Sequence, residues 1–472
     1  MIHNVHLSVY GVYIVTMSTA QQSQITNEIL NGNLVTIMFK LSIPGILGML
    51  LVGLNSFLDA LFAGQLIGQN ALAGISLALP LTSIVTGCAV SVGVGSASVM
   101  SRAIGSEDIK TESKVLGNLT VISIIISFLI AAIGYIFGDE LIAFMGGDGE
   151  VATYGVGYLK TYILGSIFFI PAVASNQLVK SEAKIRLATV FSFIFVTTNF
   201  FFNIIFVKFL NFGIQGIALA TNLAALVHVI VNFAYFIFYS KSSITSNSRK
   251  FSFGINLVSP ILSVGASVML MELIGIIQEI MIFKSIADYG TDSDIAFAGA
   301  TVRLYYLVIT PLNGLLQALQ PVIGISYGSR NYKRLKKAYF IFCLAGTILF
   351  VLTWLTLQVS PTFFLRWSIP NLNITRNNLF NFRLITFTLI TAPFLSCSLT
   401  LFQSTGNAKI AAFFIFLKHI VLFIPLLLLL SMIIGVNGVY YSFTITEILS
   451  SLIIGALILI EFIKMKKANK KL

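Results

Sequence analysis

Apolar residues along this 472-residue chain gather into long runs separated by short polar breaks. Twelve runs stand out, at residues 35–63, 71–100, 115–137, 152–179, 186–208, 214–239, 256–286, 295–325, 337–359, 381–404, 409–433 and 437–464. Roughly 20 apolar residues suffice for a helix to cross a bilayer, so each run predicts one membrane span. The longest runs predict tilt, or helix ends that reach water. The pattern also repeats. Gly105-Ser-Glu-Asp-Ile-Lys-Thr-Glu-Ser-Lys follows the second run, and Gly328-Ser-Arg-Asn-Tyr-Lys-Arg-Leu-Lys-Lys follows the eighth, 223 residues later. Ala73-Gly74 and Ala298-Gly299 open the same two runs. Parallel repeats imply a pseudo-two-fold axis along the membrane normal and a central cavity between the halves. The expected fold class is an all-α membrane protein, with twelve transmembrane helices in two pseudo-two-fold related six-helix bundles. The expected division is a lead-in at 1–33, an N-lobe at 34–240 (helices 1–6), a linker at 241–254, a C-lobe at 255–465 (helices 7–12) and a basic tail at 466–472.

Composition sharpens this picture. The chain is 57% hydrophobic and only 10% charged, with mean hydropathy +0.94. Soluble domains carry about 25% charged residues. The net charge of +12 does not point to nucleic acid, because the basic residues sit in short loops between apolar runs. Most of the 29 Lys and Arg fall in alternate loops and in the tail, whereas Gly138 to Glu150 carries four acids and no base. That bias predicts both termini on the cytoplasmic side of a multi-pass protein of the cell membrane. Met1 to Ala20 lacks the basic start and cleavage site of a signal peptide. The polar lead-in begins at Met17, which leaves Met1 to Thr16 as a candidate upstream extension.

Few residues can carry chemistry. Cys88, Cys343 and Cys397 lie in apolar runs without metal-ligand spacing, and the four His form no cluster. No nucleophile–base pair appears, so an enzyme is not expected. Gly93-Val-Gly-Ser-Ala-Ser reads as small-residue helix packing, since no Lys follows in P-loop spacing. Asp59 is different. It lies near the end of the first apolar run, and a carboxylate in lipid costs about 2.5–3.5 kcal/mol, so it must face protein or water. Asn55 precedes it by one turn on the same helix face. An acid beside an amide inside a membrane helix suits a proton- or ion-coupled transporter. Glu272 lies deep in the seventh run, with Glu279 seven residues on. Glu279 is also a candidate ion-pair partner of Arg303. Lys418 and Glu447 are expected to form a structural pair.

The combination of Pro44-Gly-Ile-Leu-Gly-Met with Asp59 and Gly64, Ala73-Gly-Ile-Ser-Leu-Ala-Leu-Pro80, Gly93-Val-Gly-Ser-Ala-Ser with Gly105, and Gln317-Ala-Leu-Gln-Pro-Val-Ile-Gly-Ile-Ser-Tyr-Gly-Ser-Arg-Asn331 resembles the multidrug and toxic compound extrusion (MATE) transporters. The resemblance covers nearly the whole chain and is nearest to the DinF-like branch. It implies two six-helix bundles and export of amphipathic, often cationic compounds in exchange for H⁺ or Na⁺. It assigns the coupling acid to Asp59 and places Asn176, Asn199, Asn203 and Thr221 in one hydrogen-bonded network around it. Asn203 stands where many relatives have Asp, so Asp59 keeps only neutral partners. That departure weakens a tight Na⁺ site. The seventh-helix Glu of Na⁺-coupled relatives corresponds to Glu272, but the tenth run lacks their Asp.

These readings predict an H⁺-coupled drug antiporter working by alternating access as a monomer, with small amphipathic, often cationic compounds and membrane lipids as partners. No cofactor is expected beyond the coupling ion, H⁺ or, in the alternative, Na⁺. The alternatives are a Na⁺-coupled drug antiporter and a lipid or lipid-linked sugar flippase of the same superfamily. A flippase would more often show a cationic cavity.

Overall fold

The computed structural model describes residues 24, 26–239, 252–368 and 374–469. Met1 to Thr16, most of the 241–254 linker and the end of the tail lie outside the described residues. Among the described residues ten helices are long and apolar enough to cross a membrane, and two bent pairs, each taken as one span, bring the count to twelve. In order they are α1 (Leu34–Ile67), α2 (Gln69–Ser106), α3 (Ile109–Ile136), α4 (Gly149–Leu164 with Ser166–Ser181), α5 (Ile185–Phe209), α6 (Gly213–Phe238), α7 (Ile255–Tyr289), α8 (Asp292–Gly328), α9 (Tyr332–Val359), α10 (Arg376–Ile390 with Ala392–Ser404), α11 (Ala408–Ile434) and α12 (Val436–Ala468). Among the described residues there is no strand. This is the expected all-α, twelve-helix class.

The repeat is visible residue by residue. The starts of α2 and α3 and the end of α3, at Gln69, Ile109 and Ile136, recur 223 residues later as Asp292, Tyr332 and Val359. Glu107 and its counterpart Arg330 both take positive φ, 56° and 58°, at the turn that follows. Asp108 caps α3 by accepting from Thr111 N, and Asn331 caps α9 by accepting from Arg334 N. The two caps differ in charge. Hydrogen bonds from Thr111 hold the Asp108 carboxyl below the ordinary carboxylate range. Its contribution is therefore present above that range and is lost only as pH falls through the lowered value. The Asn331 cap has no such dependence.

The bends have local causes. The two arms of α4 meet at 59° around Gly165. The Thr161 carbonyl accepts from Asn222 Nδ2 of α6 at 2.7 Å, and a side chain at 165 would collide with that amide. A side chain from a neighbouring helix thus satisfies backbone near the break, as helix interruptions in lipid require.

The first six and last six helices meet at the end where most Lys and Arg lie, called here the basic end. Close approach is made by small residues. A Cβ on Gly45 of α1 would strike the Gly314 carbonyl of α8, and one on Gly265 of α7 would strike the Ser91 carbonyl of α2. On the axis itself, Gly105 faces the Ile325 carbonyl and Gly328 faces the Arg102 carbonyl. Arg102 and Ile325 are also 223 residues apart, so this is one contact seen from both halves. The symmetry breaks in the side chains. Arg102 Nη1 donates to the Ser404 carbonyl of α10 at 3.0 Å and to Ser98 Oγ, which itself donates to the Gln403 carbonyl. Gly406, at φ 79°, lets the chain pass within contact of that guanidinium. Ile325 offers no such bond, so the latch exists on one side only.

Cross-half contacts continue to mid-helix, where Cys88 meets Met269 and Gly87 packs against Glu272. Beyond that level Leu54 and Phe57 of α1, Leu79 of α2, Ile277 of α7 and Tyr306 of α8 are exposed. The halves are stitched together over the basic half of their length.

Candidate functional site

Asp59 lies on α1 eight residues before its end at Ile67, far from the basic end. The last turn of α1, Ala63–Ile67, is a π turn. The last six residues of α5, Ile204–Phe209, form another, directly after Asn203. Such turns redirect the side chains on either side of them and recur at functional sites. Here they flank the two residues that meet most closely. Asn203 Nδ2 donates to Asp59 Oδ1 at 2.8 Å. Thr221 Oγ1 of α6 donates to Asp59 Oδ2 at 3.3 Å, and Asn55 Nδ2 reaches the same oxygen at 3.4 Å. Asp59 is only 7% exposed, and Asn199 and Asn203 are fully buried.

Asn199 joins the cluster in either amide orientation. With its oxygen toward Asn203 it accepts at 2.9 Å and donates to Thr221 at 3.0 Å. With its nitrogen toward the carboxylate it donates to Asp59 Oδ1 at 3.1 Å and accepts from the Thr221 hydroxyl. One carboxylate thus sits among amides and a hydroxyl that have two ways to bond. Among the described residues no cationic side chain donates to it. Asn203 Oδ1 is buried without a partner. A buried polar atom left unpaired carries a penalty of about 1–3 kcal/mol, so the cluster is not built for static stability alone.

The cluster gathers Asn55, Asn199, Asn203 and Thr221 around Asp59. It does not include Asn176, and this corrects the sequence reading. Asn176 lies on the second arm of α4, five residues before its basic end at Ser181. Its Nδ2 donates to the Ala188 carbonyl at 3.0 Å and meets His228 Nε2 at 3.2 Å. Two residues that the sequence reading missed stand in its place. Tyr158 and Tyr162, on the first arm of α4, are buried, stack at 5.8 Å and lie within electrostatic reach of Asp59. Phe62, packed on Phe200, continues the apolar wall. Counting residues from the end opposite the basic one would have found them. Asp59, Asn203, Thr221, Tyr158 and Tyr162 stand about eight, six, eight, nine and thirteen residues in, and Asn176 stands 27 in.

The secondary candidates lie elsewhere. Glu272 and Glu279 are exposed on α7, and neither joins an ion pair among the described residues. The candidate Glu279–Arg303 pair is not formed among the described residues, and Arg303 is exposed on α8. Glu272 faces α2 at the level where cross-half packing ends. Both acids act electrostatically on Tyr306 of α8. The Lys418–Glu447 pair is present, with Nζ and Oε1 2.7 Å apart and both side chains largely buried. Removing one partner of such a pair strands the other charge. Lys418→Met is expected to cost about 3 kcal/mol and lower the melting temperature by several degrees. The double variant Lys418→Met/Glu447→Leu should recover most of that loss in the same thermal scan.

Among the described residues no group of three or more His, Cys, Asp or Glu is placed to hold a metal. The arrangement fits a site for a proton or a single small cation, held by one acid and several neutral oxygens and amides.

The profile of the MatE family matches residues 44–205 and again residues 265–429, once in each half. The multidrug export protein MepA of Staphylococcus aureus (strain MRSA252) is 23% identical over 418 residues, covering 88% of this chain and 91% of that protein. MepA of Staphylococcus haemolyticus (strain JCSC1435) is 23% identical over 419 residues, covering 87% and 90%. A crystal structure of MATE in the bent conformation superposes with a TM-score of 0.87 at 22% identity, covering 94% of this chain and 98% of that one. An outward-facing multidrug resistance MATE family transporter gives 0.82 at 21% identity, covering 93% and 98%. At these identities the structural likeness speaks to the fold.

Proposed function

This chain belongs to the MatE family of membrane transporters, and we propose that it exports amphipathic, cationic compounds in exchange for H⁺ by alternating access. One observation carries the reading: the buried carboxylate of Asp59 takes its hydrogen bonds from the neutral side chains of Asn55, Asn203 and Thr221. Burying a bare charge is costly. An empty carrier with ionised Asp59 therefore resists closing over it. A proton or a cationic substrate removes that resistance, and only one of them is needed. That exclusivity is what exchange requires.

The state seen here suits the releasing step. The halves are joined at the basic end and expose helix surface at the other. With the basic end on the cytoplasmic side, as the charge bias favours, that is an outward-facing carrier. Substrate bound near ionised Asp59, with the Glu272 and Glu279 side chains on α7, would be displaced when a proton from outside neutralises Asp59. Tyr158, Tyr162 and Phe62 supply an apolar wall for the ring systems of such compounds.

A Na⁺-driven exchange has one supporting observation, the unpartnered Asn203 Oδ1, an oxygen a small cation would take. Against it, the site offers one carboxylate only. Reconstituted vesicles with an internal pH dye decide the matter. Adding ethidium under an imposed pH gradient, without Na⁺, is expected to dissipate the gradient. A strict need for Na⁺ would overturn proton coupling. Flipping of a labelled lipid with no proton response would favour a flippase.

A further inference from the structure

Asp59 stands about 12 Å from the far end of α1 and about 37 Å from the basic end, at 1.5 Å per residue. Its hydrogen-bond partners outside α1 are on α5 and α6, inside the first half. The joint between the halves is packed from the basic end to Gly87 and Glu272. A path for the Asp59 proton toward the basic end that does not cross this joint runs within α1–α6. On α6 the first titratable group from Thr221 toward the basic end has no part in the mechanism above. His228 follows Thr221 by seven residues on α6, two turns along the same face and about 10 Å nearer the basic end. It is 5% exposed.

We propose that His228 is a proton-relay site that passes the Asp59 proton to the basic end, and that Asn176 is its lock; this rests on the H⁺-exchange reading above. The surroundings of His228 are specific. From α5 the Phe195 ring lies 5.5 Å away, and the titratable residues of that helix are Arg186 and Lys208, exposed near its two ends. From α4 come Asn176 and, one turn on, Lys180, which acts electrostatically on the imidazole. The first arm of α4 supplies Tyr158 and Tyr162, which lie within electrostatic reach of Asp59. On α6 itself Tyr235 lies two turns on, donating to Glu182 Oε2 at 2.7 Å. A column of ionisable groups thus runs from Asp59 past His228 to Lys180, Tyr235 and Glu182.

The lock follows from donor chemistry. The Ala188 carbonyl can only accept, so the Asn176 amide must turn its NH₂ toward it. That same NH₂ faces His228 Nε2. Nε2 is therefore the acceptor, and the ring proton sits on Nδ1. While α4 and α5 hold this contact, Nε2 has no room for an incoming proton. When they shift and the amide withdraws, the O–H bond of Asp59 breaks and its proton crosses the gap of about 10 Å along roughly three water molecules. Nε2 takes it up, the ring swings, and Nε2 gives that proton to solvent at the basic end, so Nδ1 keeps its own and Nε2 is again the acceptor. The imidazole is neutral again and Asp59 is ionised. The lock prevents a leak in the state that faces the other side.

The test uses the full chain in vesicles with ethidium as probe. Counterflow, with ethidium on both sides and no pH gradient, needs no net proton movement. Uptake driven by an imposed gradient does. His228→Gln is expected to keep counterflow near the parent rate and to lose gradient-driven uptake by roughly tenfold or more. Asn176→Ala is expected to raise the substrate-free proton leak several-fold, and adding His228→Gln should abolish that leak. Full gradient-driven uptake in His228→Gln, equal loss of both activities, or a leak that survives the double change would each overturn the relay. A parent chain with no gradient-driven uptake would instead sink the exchange reading itself.

Discussion

Asp59→Asn is expected to abolish proton-driven export while leaving the chain folded and inserted. The amide has the shape of the carboxyl and retains a hydrogen-bonding oxygen for Asn203. What it loses is the charge, and Asn55, Asn199, Asn203 and Thr221 supply none. The variant is frozen in the neutral condition, which favours release over capture. Gradient-driven ethidium transport should fall by about two orders of magnitude or more, to the level of empty vesicles. Its melting temperature should match or exceed the parent's, since a costly buried charge is gone. Transport at the parent rate, at equal reconstituted amounts, would remove Asp59 from the coupling mechanism.

The second large effect concerns the joint between the halves. Gly328→Leu places a side chain against the Arg102 carbonyl, at the point where α2 and α8 cross on the axis. Backbone cannot yield there without parting the helices, and overpacking of this kind costs about 1–3 kcal/mol or more. That is enough to move a carrier between states whose energies differ by a similar amount. The basic end should open, and the Arg102–Ser404 bond should be lost with it. Spin labels on Lys110 and Lys333, exposed and related by the pseudo-symmetry, report the change. The distance distribution should shift outward by several ångströms and transport should stop. An unchanged distribution would show that this crossing does not set the state of the carrier.

Much of the architecture was legible because membrane spans depend on length and hydropathy, which any window along the chain displays. The repeat was legible because its turn chemistry recurs: Asp108 and Asn331 are both short polar caps, each following a residue in the left-handed region. The bend of α4 was not legible. It depends on Gly165 meeting Asn222 of another helix, a tertiary fact. Asp59, Asn199, Asn203 and Thr221 meet because their depths and faces agree. Asn176 was misplaced because a motif says which residue matters without saying how deep it lies. Its place near Ser181, at the basic end, could have been read by counting. The Glu279–Arg303 pair fails for a related reason. A sequence shows that two charges are available, and only rotation of the two helices decides whether they face.

Proton uptake and release by the purified chain tests the central claim most directly. In weakly buffered detergent solution, ethidium binding should expel a proton from the parent protein. The release should vanish in Asp59→Asn. Equal release from both proteins, or none from the parent on saturable binding, would mean that substrate and proton do not compete for this carboxylate.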